Sequence, residues 1–470
     1  MKKVFVNGDF NVLHPGHLRL LKFAKASGNY LTVGVNSDKI SDKGISQDIR
    51  LESIKSTSYV DEAFILDIPA IEYVKTYKPD IVVKGKEHES KENPELEVIN
   101  AYGGKLLFSS GEIGFSSMDL LKREFLSLSN NVRHSANYLK RHEIKLDTLK
   151  DIVEKFASLR VLVIGDTIVD EYVTCEALGM SQEDPTIVVS PIATNKFIGG
   201  AAIVASHAKT LGASVKFISL VGEDENREYV KEGLEALSID TFLFCDNTRP
   251  TTLKQRFRAN NKTLLRVNHL KQHGVSKDIE KEILCEVKNC VDEIDLIIFS
   301  DFSYGLLSDK IIGEISKLGL QRNIFMSADS QSSSQTGDIS KFKDMNLVTP
   351  TEREIRLSLN DFTSGLVVLS QKLANKSNAK YIFTTLGAEG VMIYNSPTAK
   401  LLTDNIEALG STVKDESGAG DSLLTCSSMA LAVGANIWQS AYLGSLGAAI
   451  QVSRLGNVPI KKEELLKELD

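Results

Sequence analysis

The chain is expected to be α/β, with two domains that each contain a doubly wound parallel sheet. Three observations predict this. "KKVFVNGD" (Lys2 to Asp9) and "RVLVIGD" (Arg160 to Asp166) are both short apolar runs that end in Gly-Asp. A parallel strand covered on both faces reads as a continuous apolar run, and a glycine permits the sharp exit. Behind each start, further apolar runs alternate with segments whose apolar residues recur every three or four positions. The length, 470 residues, exceeds what one ordinary core encloses.

In the first domain, placed at 1–130, the further strands are "YLTVGVN" (30–36), "EAFILD" (62–67), "DIVVKG" (80–85) and "GKLLFSS" (104–110). "LRLLKFAKA" is one of the intervening helices. From Asp119 to Phe156 the periodicity is helical, with many charges and no proline or glycine. This predicts a last helix followed by a helical linker over 131–158. The second domain, 159–470, continues with "VKFISLVG", "LIIFSD", "NIFMSAD", "NLVTP", "YIFTTLG" and "GVMIY". A glycine-rich turn comes late, in "DESGAGDSLLTCSSMALAVG".

Composition excludes several classes. Hydrophobic residues make up 42% and charged residues 25%, as in globular proteins, and no apolar run reaches the length of a membrane span. The net charge of −7 gives no general attraction to nucleic acid or to anionic membranes. The N-terminus lacks a signal-peptide apolar core. Five scattered cysteines without a CxxC pair argue against a disulfide framework or a structural zinc, and for a reducing cytoplasm.

The first candidate site is "NGDFNVLHPGHLRLL" (Asn7 to Leu21). Pro15 and Gly16 favour a turn into a helix near His17. A helix N-terminus presents unpaired N–H groups and partial positive charge, which favour phosphate. Two imidazoles there, His14 and His17, could hold a polyphosphate and stabilise its developing charge. They could equally cap or pack. Metal ligation is disfavoured, because no HExxH glutamate and no third ligand are present.

The stretch resembles the HxGH signature of the nucleotidyltransferase superfamily that includes the cytidylyltransferases. "VGVNSD" (33–38), Arg50, "VVKGKEH" (82–88) and "GEIGFSSMDLLK" (111–122) match further elements in order, over about residues 1–125. The resemblance implies a Rossmann-like domain in which His14 and His17 are catalytic. Gly8, Phe10, Arg50, Lys84, Ser116 and Ser117 would contact nucleotide or phosphate. Two departures stand out: Phe10-Asn11 where Phe-Asp is usual, and Ser116-Ser117-Met118 for Ser-Thr-Thr.

The second candidate site is "SGAGDSLL" (417–424), a glycine turn entering an apolar helix. Successive N–H groups in such a turn form an anion-binding nest. An aspartate there repels phosphate, but it suits proton removal from a hydroxyl attacking the γ-phosphorus. A plain helix cap is the structural alternative.

This region resembles the ribokinase-like sugar kinases over roughly 145–465, through "VIGDTIVDEY" (163–172), "FIGGAAIVA" (197–205), "TTLGAEG" (384–390) and "SGAGDS". The resemblance implies Asp421 as catalytic base and Gly418, Ala419, Gly420, Thr385 and Gly387 on the nucleotide. Asp166, Asp170, Gly199 and Gly200 would contact the sugar, and Glu354 the metal. "EDPTIVVSPIATNKF" (183–197) resembles the small β lid that covers the sugar and often pairs two subunits, which implies a homodimer.

Within that family, "MSQEDPTIVV", "LKQRFRANNKTLLRVN" and "SDFSYGLL" resemble the heptose-phosphate kinase of ADP-heptose synthesis, and make Lys254, Arg256 and Arg266 candidates for a substrate phosphate. Tyr304 stands in place of lysine, "ADSQS" (328–332) in place of Asp-Pro-Lys, and Thr351 in place of the asparagine of NxxE.

As a whole the chain resembles the bifunctional heptose-phosphate kinase/ADP-heptose synthases with the domain order reversed. The resemblance implies a sugar kinase and a sugar-phosphate nucleotidyltransferase in one chain. Mg2+, ATP, and ATP or CTP would be required, in the supply of a lipopolysaccharide precursor. Two other readings remain. The first domain could be a glycerol-3-phosphate-type cytidylyltransferase, or the kinase half a non-catalytic sugar sensor.

Overall fold

The computed structural model describes residues 2–11, 15–40, 46–85, 93–109, 132, 134–259, 262–332, 337–395, 403–410 and 412–470. The chain divides into two compact units, Met1–Ser129 and Asn130–Asp470.

Among the described residues the first unit holds five parallel strands in the spatial order Glu62–Leu66, Tyr30–Asn36, Lys3–Gly8, Ile81–Gly85 and Lys105–Ser109. Alternate residues of the first strand face opposite layers. Val4 and Val6 pack with Leu21 and Ile54 on one side, and Phe5 packs with Val74 and Ile99 on the other. The chain leaves Lys3–Gly8 toward one neighbour and later returns on its other side. The C-terminal end of this strand is therefore a topological switch point, the place where open α/β sheets bind ligands. Gly8 to Asn11 lie there.

The second unit is built on nine strands ordered Asp240–Cys245, Ser214–Val221, Arg160–Gly165, Leu296–Asp301, Phe325–Ser330, Leu347–Val348, Tyr381–Thr385, Val391–Tyr394 and Thr403–Ile406. All pairings are parallel except those of the last two strands. Val161 and Val163 enter one core, Leu162 and Ile164 the other, so the sheet is covered on both faces. Within 131–158, read from sequence as a linker, Ala136–Arg141, Leu146–Glu154 and Lys155–Ser158 are helical. Their side chains Tyr138, Leu149, Val153 and Phe156 lie inside the larger core of this unit.

A second sheet rises from the first. Only Asp166 separates Arg160–Gly165 from Thr167–Met180, which pairs with Ile187–Gly200 on one side and with Thr252–Ala259 and then Lys262–His269 on the other. This is the small β lid. Among the described residues no helix is long and apolar enough to cross a membrane.

Candidate active sites

In the first unit, Phe10 takes a left-handed backbone conformation (φ 47°) and buries its ring. The ring lies against Gly8 and meets the His17 imidazole edge-on at 5.1 Å. Phe10 therefore shapes the turn from inside. Asn11 is also buried, and its Oδ1 has no hydrogen-bond partner among the described residues. His17 sits half-buried in the first turn of Pro15–Ser27. His14, Ser116 and Ser117 lie outside the described residues.

Arg50 is placed differently from the phosphate contact read from sequence. Its side chain is fully buried. Nη1 donates to the carbonyls of Asp9 (2.7 Å) and Asn36 (2.9 Å), and Nη2 to Asp38 Oδ1 (2.5 Å). The guanidinium thus ties the ends of two adjacent strands together at the switch point. Hydrogen bonds from Gln47 and Arg50 hold the Asp38 carboxyl below its usual range. Lys84 is likewise engaged, donating to Glu95 (2.7 Å) and Asn93 (3.2 Å).

In the second unit the sugar-side residues converge at the root of the lid. Asp166 Oδ2 accepts from the N–H groups of Phe302 (2.9 Å) and Tyr304 (3.2 Å). Burial, then the neighbouring Asp301, pushes this carboxyl up to about 6. Asp170 is buried between Arg256, which donates to Oδ1 at 3.0 Å, and Asn457, which donates to Oδ2 at 3.0 Å. Burial raises Asp170, opposed by Arg256 and Lys254.

Glycine is required beside both carboxylates. A Cβ at Gly199 would lie 2.4 Å from Asp170 Oδ2, and one at Gly200 (φ 62°) would lie 2.3 Å from the Asp166 carbonyl. Arg256 and Arg266 face each other across antiparallel strands, on the same side of the lid. Lys254 stands over the rings of Phe302 (5.0 Å) and Tyr304 (5.5 Å). The Tyr304 hydroxyl is buried without a hydrogen-bond partner among the described residues.

Gly418 adopts φ 78° and starts the helix Ala419–Ala432. The first N–H groups of a helix lack intrahelical partners, and here that of Ala419 turns back to the Glu416 carbonyl at 3.4 Å. Asp421 is buried in this first turn. Burial, then the charge of Asp170, pushes its carboxyl up to about 7, against the pull of Lys254. Gln331 Nε2 donates to Asp421 Oδ1 at 3.1 Å. Thr385 and Gly387 (φ 60°) lie at the end of Tyr381–Thr385 and in the turn after it.

Glu354 is held by backbone N–H groups. Its two oxygens accept from the N–H groups of Ser332 and Thr351, both at 2.7 Å, and Thr351 caps the same helix in return. Thr351 thus fills a capping role at the NxxE asparagine position. Among the described residues no three His, Cys, Asp or Glu side chains are placed to hold a metal directly.

Sequence reasoning missed several partners of these groups. Tyr172 Oη donates to Asp415 (2.7 Å) and accepts from the Ser417 hydroxyl (3.0 Å), and Arg256 donates to Tyr172 (2.6 Å) and to Ser417. The two-residue spacing of Asp170 and Tyr172 on a strand could have flagged the tyrosine. Nothing local marks Asn457.

Comparison with known proteins agrees with this layout. The pfkB family carbohydrate kinase model matches residues 158–462, and the cytidylyltransferase-like model matches 5–102. Bifunctional protein HldE of Desulfatibacillum aliphaticivorans is 30% identical over 322 residues, 67% of this chain and 64% of that protein. The Helicobacter hepaticus protein of the same name is 29% identical over 314 residues, 66% of this chain and 64% of its own length. The chain thus spans somewhat less than two thirds of these relatives.

Among solved structures, Escherichia coli phosphofructokinase-2 in complex with potassium superposes with a TM-score of 0.54 at 15% identity, covering 66% of this chain and 97% of its own. Arabidopsis thaliana ribokinase complexed with ribose and ATP gives 0.51 at 18%, covering 66% and 98%. These two likenesses show the fold. With the family model covering most of the second unit, the chain belongs to the pfkB family of carbohydrate kinases.

Proposed function

We propose that the second unit transfers the γ-phosphoryl group of ATP to a hydroxyl of a heptose-like sugar or sugar phosphate. The first unit would transfer a nucleoside monophosphate from a triphosphate to a sugar 1-phosphate, releasing pyrophosphate. The observation that carries the kinase reading is Asp421: a buried carboxyl raised to about 7, in the first turn of a helix behind a left-handed glycine, close enough to Asp170 to feel its charge.

In this reading Asp166 and Asp170 hold sugar hydroxyls. Asp421 takes the proton of the attacking hydroxyl as its oxygen bonds to the γ-phosphorus, and ADP leaves. The N–H groups following Gly418 face the phosphate charge. Lys254, Arg256 and Arg266 supply positive charge for an acceptor that already carries phosphate. On the first unit, His14 and His17 would hold the triphosphate at the switch point, on a scaffold fixed by Arg50. Mg2+ would arrive on the nucleotide, held mainly by phosphate oxygens and water, with Glu354 the candidate protein group near it.

A homodimer through the lid is supported by its exposed apolar side chains Leu178, Met180, Ile187, Ile192 and Leu265. A reducing, cytoplasmic setting is supported by cysteines that are all unpaired.

The test is mass spectrometry of products from the full chain with ATP or CTP and a panel of heptoses, heptose phosphates and glycerol 3-phosphate. ATP-dependent sugar phosphorylation that disappears in Asp421→Asn while nucleotidyl transfer persists is the expected result. Turnover only with CTP and glycerol 3-phosphate would replace the sugar reading of the first unit. Absence of ATP consumption with every sugar would replace the kinase reading.

A further inference from the structure

We infer that Gln331 is the positioning residue for the Asp421 base, holding one carboxyl oxygen so that the other is presented to the acceptor hydroxyl. The inference rests on the kinase reading above. Gln331 directly follows the strand Phe325–Ser330, and its own N–H is fixed to the Asp301 carbonyl at 2.8 Å. From this anchored backbone its amide Nε2 donates to Asp421 Oδ1 at 3.1 Å. The same side chain lies close enough to Asp329 to lower its carboxyl, which burial and the charges of Glu354 and Asp421 raise well above its usual range. Gln331 therefore stands beside two buried acids from different elements and donates to one of them.

Two buried carboxyls near one another tend to share a proton, and a mobile one can turn toward its neighbour instead of the substrate. A neutral amide donor between them removes that freedom. It fixes the orientation of the base while adding no charge to it. The charged groups that face Asp421 are Asp170 from the lid strand Thr167–Met180, Lys254 from Thr252–Ala259 and Asp329 from Phe325–Ser330. Gln331 donates a hydrogen bond to the Asp421 carboxyl from outside this set of charges. A lysine at 331 would also donate, but it would pull the base toward its ionised form.

The experiment compares the full chain with Gln331→Met and Gln331→Lys. Methionine keeps length and volume and removes the donor. Partners that orient a reacting group typically contribute about 10- to 100-fold, so kcat of the kinase should fall by that factor with KM for ATP and sugar nearly unchanged. Gln331→Lys should recover most of kcat and move the acid limb of the pH profile to lower pH. A residue with a merely structural role would lower thermal stability and active fraction without these two signatures. Unchanged kcat in Gln331→Met overturns the inference. Crystal structures of wild type and Gln331→Met supply a readout independent of turnover. A rotated Asp421 carboxyl in the variant supports the inference, and an unmoved one overturns it. If the wild type phosphorylates no sugar, the kinase reading fails, and the crystallographic comparison still decides the role of Gln331.

Discussion

Asn457 donates its Nδ2 to Asp170 Oδ2 at 3.0 Å across 287 positions of chain, while Arg256 occupies the other oxygen of the same carboxylate. A carboxylate this buried is tolerable only with such partners. The pair also binds the lid, which carries Asp170 and Arg256, to the C-terminal loop of the body.

Removing one partner should expose that dependence. Arg256→Met takes from the buried Asp170 its ion-pair partner and leaves only Asn457 and the more distant Lys254 and Arg266, a loss of up to about 3–5 kcal/mol. Asp170→Asn in the same background should restore much of the loss. The single tryptophan, Trp438, lies in the second unit, so urea denaturation followed by its fluorescence reads the relevant transition.

The raised carboxyl of Asp421 carries a stability consequence. Its folded value, about 7, lies above the ordinary 3.8, so between these values the folded state holds a proton that the unfolded state has lost. Stability is lost as pH rises through this window. Asp421→Asn should therefore raise the melting temperature at pH 8 and change it little at pH 4. Kinase activity of the wild type should rise with pH through about 7, as the base ionises. Scanning calorimetry at the two pH values and a kcat/KM profile check both signs.

Gly200→Ala should be costly. The residue has φ 62°, where a side chain is strained, and its Cβ would stand 2.3 Å from the Asp166 carbonyl. Both effects act at the junction of the lid with the helix Ala201–Thr210. A loss of more than about 1 kcal/mol is expected, with sugar KM raised as Asp166 shifts. Isothermal denaturation together with sugar-dependent kinetics tests this.

Arg50→Met should damage the first unit alone. It removes charged hydrogen bonds to Asp9, Asn36 and Asp38 from a fully buried guanidinium, each worth about 1.5–3 kcal/mol. Faster hydrogen exchange over 2–40 and loss of nucleotidyl transfer are expected, with the Trp438 unfolding transition and kinase activity retained. Full nucleotidyl transfer in this variant would remove Arg50 from the account.

Much of the fold was legible because its signals are local. Continuous apolar runs, Gly-Asp exits and the glycine turn before Asp421 mark strands and helix starts wherever they occur. The lid was legible through its likeness to a known pattern. The sequence reads 131–158 as a helical linker, and periodicity alone does not say which core its apolar side chains enter. Tyr138 and Phe156 read as ordinary amphipathic residues until the cores they enter are known. Thr351 and Glu354 show the same limit: the capping box is written in the sequence spacing, yet the spacing also fits a metal-binding motif.

By itself the sequence determined where the chain turns, which segments become strands and which helix begins at the base. Periodicity and glycine conformation act within a few residues. Only the tertiary structure decided which charges meet. Arg50 is absorbed by two strand ends, Lys84 by Glu95 and the Glu354 carboxylate by backbone N–H groups, whereas Asp170, Arg256, Ser417 and Asn457 gather under one lid. The physical reason is that a buried charge takes whatever partner sheet order brings within about 3 Å, and sheet order joins segments hundreds of residues apart.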